Sequence, residues 1–173
     1  MNDANGCVRE ALVDGVHVLR IEGAVRYTIA PVVERFLDRL FSRAAVGAVL
    51  VDMTDASFLD STMLGVVARI AGRMSAEHGA RPTIACPPGD ILTLLQSMGF
   101  DQVFAVVSEA PSAARELPVV ADEDDGSSPE ARELARTVLR AHETLAAMNP
   151  RNEATFHDVV EMMTREVGED PPA

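Results

Sequence analysis

Asp55, Ser57, Asp60, Ser61 and Thr62 fall within eight residues, DASFLDST, between an apolar run and a helical pattern. Carboxylates and hydroxyls placed there can cap a helix, because their oxygens accept hydrogen bonds from the free N–H groups of its first turn. Asp60 or Ser61 would serve, and one cap accounts for one residue. Asp55, Ser57 and Thr62 are left unexplained. Nucleophilic catalysis finds no support, since Ser61 lacks the Gly-x-Ser-x-Gly elbow and a paired base. His17, His78, His142 and His157 are scattered, with no carboxylate or second histidine at ligand spacing, so no metal site is expected. Pro87-Pro88-Gly89-Asp90 offers one glycine and no lysine, which reads as a turn opening a helix rather than a nucleotide cradle. With no acid–base pair and no cofactor fingerprint, the residues point away from an enzyme.

The elements that must position this junction follow from period and turn chemistry. Val8 to Val13 and Val16 to Ile21 read as two strands joined by Asp14-Gly15, a pair that tolerates the positive φ of a tight hairpin. Alternation leaves the buried face of the second strand open between Val16, Val18 and Arg20 on one side and His17, Leu19 and Ile21 on the other. From Ile29 to Ala45 the apolar residues Val32, Val33, Phe36, Leu37, Leu40 and Phe41 recur at steps of three and four, an amphipathic helix with Pro31 in its first turn. Ala48 to Val51, ending at Asp52, reads as a strand covered on both faces. A helix over Ser61 to Glu77 follows, stopped near Gly79. Pro82 to Cys86 is a short strand, a helix runs to about Met98 before Gly99, and Gln102 to Val107 is a last strand. The order β-β-α-β-α-β-α-β implies a mixed sheet of about five strands with parallel crossovers and helices against it, one α/β domain.

Beyond it, Glu109 to Glu116 reads as a short closing helix and residues 120–128 as an acidic linker. Ser128-Pro129 opens a helix outlined by Leu134, Val138, Leu139, Leu145 and Met148. Asn149-Pro150 breaks it, and Phe156, Val159, Val160 and Met163 outline a second. This hairpin is too small to fold alone, so it docks on the main domain or on a second copy of the chain. The expected organisation is a domain over 1–119, a linker over 120–128, a helical extension over 129–168 and a disordered tail over 169–173.

The net charge of −12 argues against nucleic acid and against an anionic membrane as partners, which leaves protein. Residues 109–173 hold 15 acidic and 6 basic side chains, so three quarters of the net charge lies in that last third. All 15 basic residues are arginine, and alanine is abundant, a pattern suggesting a GC-rich bacterial genome. MNDANGCVRE lacks the basic-then-apolar pattern of a signal peptide, and no run of 18 apolar residues exists, so a cytoplasmic location is expected. Cys7 and Cys86 have no CxxC or histidine company and read as buried thiols.

D55-A-S57-F58-L59-D60-S61-T62-M63-L64-G65-V66 resembles the signature turn of STAS domains of the anti-sigma-factor-antagonist type, approximately D-x-S-x-[LIVMF]-D-S-[ST]-G-[LIV]-G. The likeness spans about residues 7–117 and includes GARPTIACPPGDILTLLQSMGFDQVF, which resembles the family's strand, its "P…V…LL…G" helix and its "F" strand. It departs from the pattern at Met63, where a glycine is usual. The resemblance implies a STAS fold and a phosphorylation-controlled binding switch. In that switch an anti-sigma factor that is also a Ser/Thr kinase binds the unmodified protein, freeing a sigma factor for transcription. It further implies Thr62 as phosphoacceptor with Ser61 as rival, and Asp55, Ser57, Asp60, Met63 and Leu64 as partner-binding residues. A PP2C-type phosphatase would restore the hydroxyl. The alternative is a STAS scaffold in a sensory complex, or the cytoplasmic subunit of a lipid-transport system. The C-terminal helices resemble, more weakly, tails of some bacterial antagonists. They serve either as a cap on the domain or as a homodimer or second partner surface.

Overall fold

The computed structural model describes residues 5–42, 46–110, 117–123 and 129–168. The expected helix over 109–116, most of the linker and the tail over 169–173 lie outside the described residues.

The hairpin forms as its turn chemistry predicts. β1 (Cys7–Val13) pairs antiparallel with β2 (Val16–Val25), with Val13 opposite Val16 and both turn residues at positive φ, Asp14 at 51° and Gly15 at 83°. A single 3-10 turn (Tyr27–Ile29) leads into α1 (Ala30–Ser42). β3 (Ala48–Leu59) then runs parallel to β2 and is far longer than the apolar run suggested. Asp52 does not end it. Its carboxylate, 1% exposed, accepts from Arg20 Nε on β2 at 3.0 Å and from the Thr54 amide and hydroxyl at 3.0 and 2.7 Å. A charge so partnered can be buried in mid-strand, and beyond it Asp55 and Ser57 alternate outward on strand, not on a loop.

α2 (Ser61–His78) returns the chain to β4 (Thr83–Ala85), parallel to β3, and ends on Gly79 in the left-handed conformation at φ 59°. α3 (Asp90–Ser97) follows the Pro-Pro-Gly turn. The segment expected as one last strand divides into a short helix, α4 (Phe100–Val103), and β5 (Ala105–Val107), parallel to β4. Phe100 and Phe104, both fully buried and stacked at 5.7 Å, hold that corner in the core. A sixth strand, β6 (Val119–Asp122), pairs antiparallel with β1, so residues read as linker are part of the sheet. The acidic run of residues 122–125, which begins within it, masked it, because only four residues carry the strand pattern. The sheet order is β5-β4-β3-β2-β1-β6.

The open question of β2 resolves by face. Leu19 and Ile21, with Val49, Val51, Met53 and Ile84, pack under the helices in the main core, while Val18 joins Leu50, Ala85 and Leu117 in a small cluster on the opposite face. α5 (Ala131–Met148) and α6 (Pro150–Gly168) form the expected hairpin, broken by the extended Asn149. Ala141, Leu145 and Phe156 belong to the main core. α5 packs on α1 and α2, so the helical extension docks on its own domain.

Candidate functional site

The site is the end of β3 and the first turn of α2, at the edge where the parallel strands finish. Asp60 caps α2: its Oδ1 accepts the Met63 amide at 2.9 Å while its backbone is extended. Its other oxygen accepts the Tyr27 amide at 2.6 Å, which ties the turn after β2 to the start of α2. Capping therefore accounts for Asp60, with a second tether besides.

Helical period distributes the next residues. Ser61 is half-buried, Thr62 is 4% exposed, and Met63 and Leu64 are fully turned into the core. Met63, the departure from the family pattern, thus fills the interior rather than crowding the surface. A partner would meet Met63 and Leu64 only through the shape they give the turn. Asp55 and Ser57 are exposed on β3. Ser57 borders a cleft of about 240 Å³ shared with Cys86, Pro88 and Ile91.

Reading the sequence alone missed four neighbours. Phe58 and Tyr27, each 46% exposed, flank Asp60, and the Arg26 guanidinium lies 5.6 Å from the centre of the Phe58 ring. Alternation would not have found Phe58, because Ser57 and Phe58 are consecutive and both exposed where the register with β2 shifts. The fourth is His142 on α5. Its Nδ1 lies 2.8 Å from the Val138 carbonyl oxygen, which can only accept, so that nitrogen carries the hydrogen. The ring's Nε2 lies 2.9 Å from Ser61 Oγ, within hydrogen-bond distance. A Ser–His pair is the kernel of many nucleophilic sites. Here, however, a peptide carbonyl stands where an orienting carboxylate would, and the ring is buried against Phe156 at 5.5 Å. No sequence signal links positions 61 and 142, which are joined only by the docking of α5.

Three other histidines do acquire carboxylates, contrary to expectation: His78 Nε2 lies 4.0 Å from Oε2 of the adjacent Glu77. His17 Nδ1 lies 2.8 Å from Glu10 Oε1 across the β1–β2 hairpin. On α6 the ligating atoms of His157, Asp158 and Glu161 fall within 4.8 Å of one another, all exposed. Sequence spacing hides the His17–Glu10 pair, which the strand register creates. Burial pushes both thiols up: Cys86 by desolvation, and Cys7 by desolvation that the nearby Arg9 partly offsets. Both are free and buried.

A family model described as the STAS domain matches residues 11–113. The chain belongs to the STAS domain family. Among solved structures it is similar to an anti-sigma factor antagonist from Mycobacterium paratuberculosis, at 19% identity and a TM-score of 0.53, with 63% of this chain and 90% of that one covered. It is also similar to the anti-sigma factor antagonist SpoIIAA in its unphosphorylated form, at 15% identity and a TM-score of 0.50, covering 60% of this chain and 89% of that one. At these identities the likeness establishes the fold. No curated protein sequence matches the chain. Both C-terminal helices lie outside the family match. Among the described residues no helix is long and apolar enough to cross a membrane.

Proposed function

We propose that this STAS protein is a non-catalytic, cytoplasmic binding switch of the anti-sigma-factor-antagonist type. Unmodified, it holds an anti-sigma factor that is also a Ser/Thr kinase, and so releases a sigma factor for transcription; phosphorylated on the first turn of α2, it lets go. The observation that carries the reading is the Ser61–Thr62 pair at the Asp60-capped start of α2, beside the outward Asp55, Ser57, Phe58 and Tyr27. Exposed aromatics next to an arginine are the residue types that anchor protein interfaces.

In the modification, the acceptor oxygen forms a bond to the γ-phosphorus of ATP held by the partner as the β–γ bridging P–O bond breaks. ADP leaves, and the hydroxyl proton passes to a base of the partner. The product places about −1.5 to −2 charges at the turn. The positive end of the α2 dipole favours that anion, so the domain is not required to unfold. Asp60 and Asp55 already stand there on a chain of net charge −12, so a partner docked on Phe58 and Tyr27 faces repulsion and the cost of desolvating the phosphate. A PP2C-type phosphatase would hydrolyse the ester and restore binding.

The test is titration of the chain against the histidine-kinase-like Ser/Thr kinases of its own genome. Unmodified protein should bind one of them, enzymatically phosphorylated protein should bind at least tenfold more weakly, and Phe58→Ala should weaken binding without changing the fold. Equal binding by both forms would remove the switch. The burial of Thr62 favours a second reading, a STAS scaffold for a sensory complex or a lipid-transport system. That reading expects co-purification with a membrane ATPase and altered membrane integrity on gene loss.

A further inference from the structure

Ser61 and Gly65 stand on either side of Thr62 in α2, and both meet the same stretch of α5. Ser61 Oγ lies 2.9 Å from His142 Nε2, within hydrogen-bond distance. A Cβ added at Gly65 would lie 2.3 Å from the Ala141 carbonyl oxygen and 2.6 Å from the Ala141 Cα, so the two helices touch backbone to backbone. Between these contacts Thr62 is 4% exposed. A kinase must bring the acceptor oxygen into line with the γ-phosphorus, roughly 3–3.5 Å away, with its own groups around both. A threonine so little exposed, with α5 bonded to the neighbouring Ser61 and in backbone contact at Gly65, offers no such approach.

The fastening of α5 is graded. Leu145 and Phe156 sit in the core, and Asn149 and Asn152 both donate to the Met98 carbonyl oxygen, at 3.2 and 2.9 Å, at the end of α3. Towards the acceptor the close Gly65–Ala141 contact is flanked by polar ties: Ser61–His142, Arg140 to the buried Glu34 at 3.4 Å, and Arg35 with Glu133. Arg35 and Arg140 are about half exposed, and such ion pairs contribute little each. α6 buries only Asn152 and Phe156. A two-helix unit attached in this way can open locally at less cost than global unfolding.

We propose that the α5–α6 hairpin is an intramolecular cap over the acceptor turn, latched by Ser61–His142 and Arg140–Glu34. It must lift from α2 before either hydroxyl can take a phosphoryl group from ATP. A partner that engages the start of α2 competes with α5 for it, and its apparent affinity is reduced by the fraction of chains that are open. The functional part of this inference rests on the acceptor reading of Ser61 and Thr62; the cap itself does not.

The test uses the full chain carrying Thr62→Cys, alkylated with N-ethylmaleimide and mapped by peptide mass spectrometry. Each thiol's rate is divided by its rate in the urea-unfolded chain. Cys86, buried in the main core, reports global unfolding, and Ser57→Cys in a separate chain reports an open surface. The thiol at position 62 should label at least tenfold faster than Cys86 and at least tenfold slower than that at 57. His142→Ala, or Arg140→Ala should the former fail to fold, should raise the rate at 62 several-fold and leave Cys86 unchanged. Labelling at 62 as fast as at 57 would mean that there is no cap. Labelling at the Cys86 rate, or no response to either latch variant, would mean that the hairpin does not open on its own. No kinase enters the measurement, so its failure is distinct from failure of the phosphorylation reading.

Discussion

Asp60 joins two elements through one carboxylate, accepting the Met63 amide with one oxygen and the Tyr27 amide with the other. Asp60→Ala removes both bonds, and loss of an N-cap alone costs about 1–2 kcal/mol. Urea unfolding should show a loss of that size or somewhat larger, with Asp60→Asn recovering part of it because the amide oxygen still accepts. The thiols allow a pH prediction. Burial pushes Cys7 and Cys86 above the ordinary thiol range, so the folded chain keeps protons that the unfolded chain gives up. The contribution is full below the unfolded thiol pKa and is lost as pH rises through the folded values. Urea midpoints should fall more steeply on the alkaline side of that range in the native chain than in Cys86→Ala. At this scale the sequence was legible where one residue has one duty. Asp60 as a cap could be read from its place before an apolar period. The Ser61–His142 bond could not, because 81 positions separate its partners and only tertiary docking joins them.

The two long helices meet at a point fixed by an absent side chain. Gly65 lets the Ala141 backbone approach α2, and Gly65→Ala forces a Cβ to within 2.3 Å of a carbonyl oxygen. Overpacking against backbone costs about 1–3 kcal/mol or more. The expected outcome is a lowered melting temperature together with faster amide exchange along α5, with little change in β3. Slowed or unchanged exchange in α5 would mean that the contact is slack. Gly99 is constrained twice over, by φ +82° and by the Asn149 amide nitrogen 2.8 Å from where a Cβ would be. Its role as a helix stop was evident from sequence; its service to the hairpin was not. Periodicity located α1, α2, α5 and α6 because each has a long apolar stripe. It shortened β3 at Asp52 because a lone acidic residue in a strand looks like an end until its Arg20 partner is known. It missed β6 because the strand borrows its pairing from β1, at the far end of the chain.

Across the whole molecule the hairpin and the STAS domain share one core, in which Leu145 is fully buried. Leu145→Ala should destabilise the entire chain by about 2–5 kcal/mol, because a cavity opens where both units meet. Calorimetry should still show one main transition; two well-separated transitions would mean that the hairpin folds independently. The charge asymmetry read from composition lies mostly outside the hairpin, since residues 129–168 hold 7 acidic and 5 basic side chains. The family could be recognised from the turn and the order of elements, whereas the contacts of α5 with Ser61 and Gly65 could not, because they depend on which face α5 selects. The proposed switch requires the start of α2 to carry a reversible phosphate that controls a protein contact. It is tested by incubating the full chain and ATP with the Ser/Thr kinase found to bind it, followed by phosphopeptide mapping. Phosphate is expected on Thr62 or Ser61, lost in the double variant Thr62→Ala with Ser61→Ala, with release of the kinase as the phosphate accumulates. Phosphate on neither residue, with the complex intact, would contradict it.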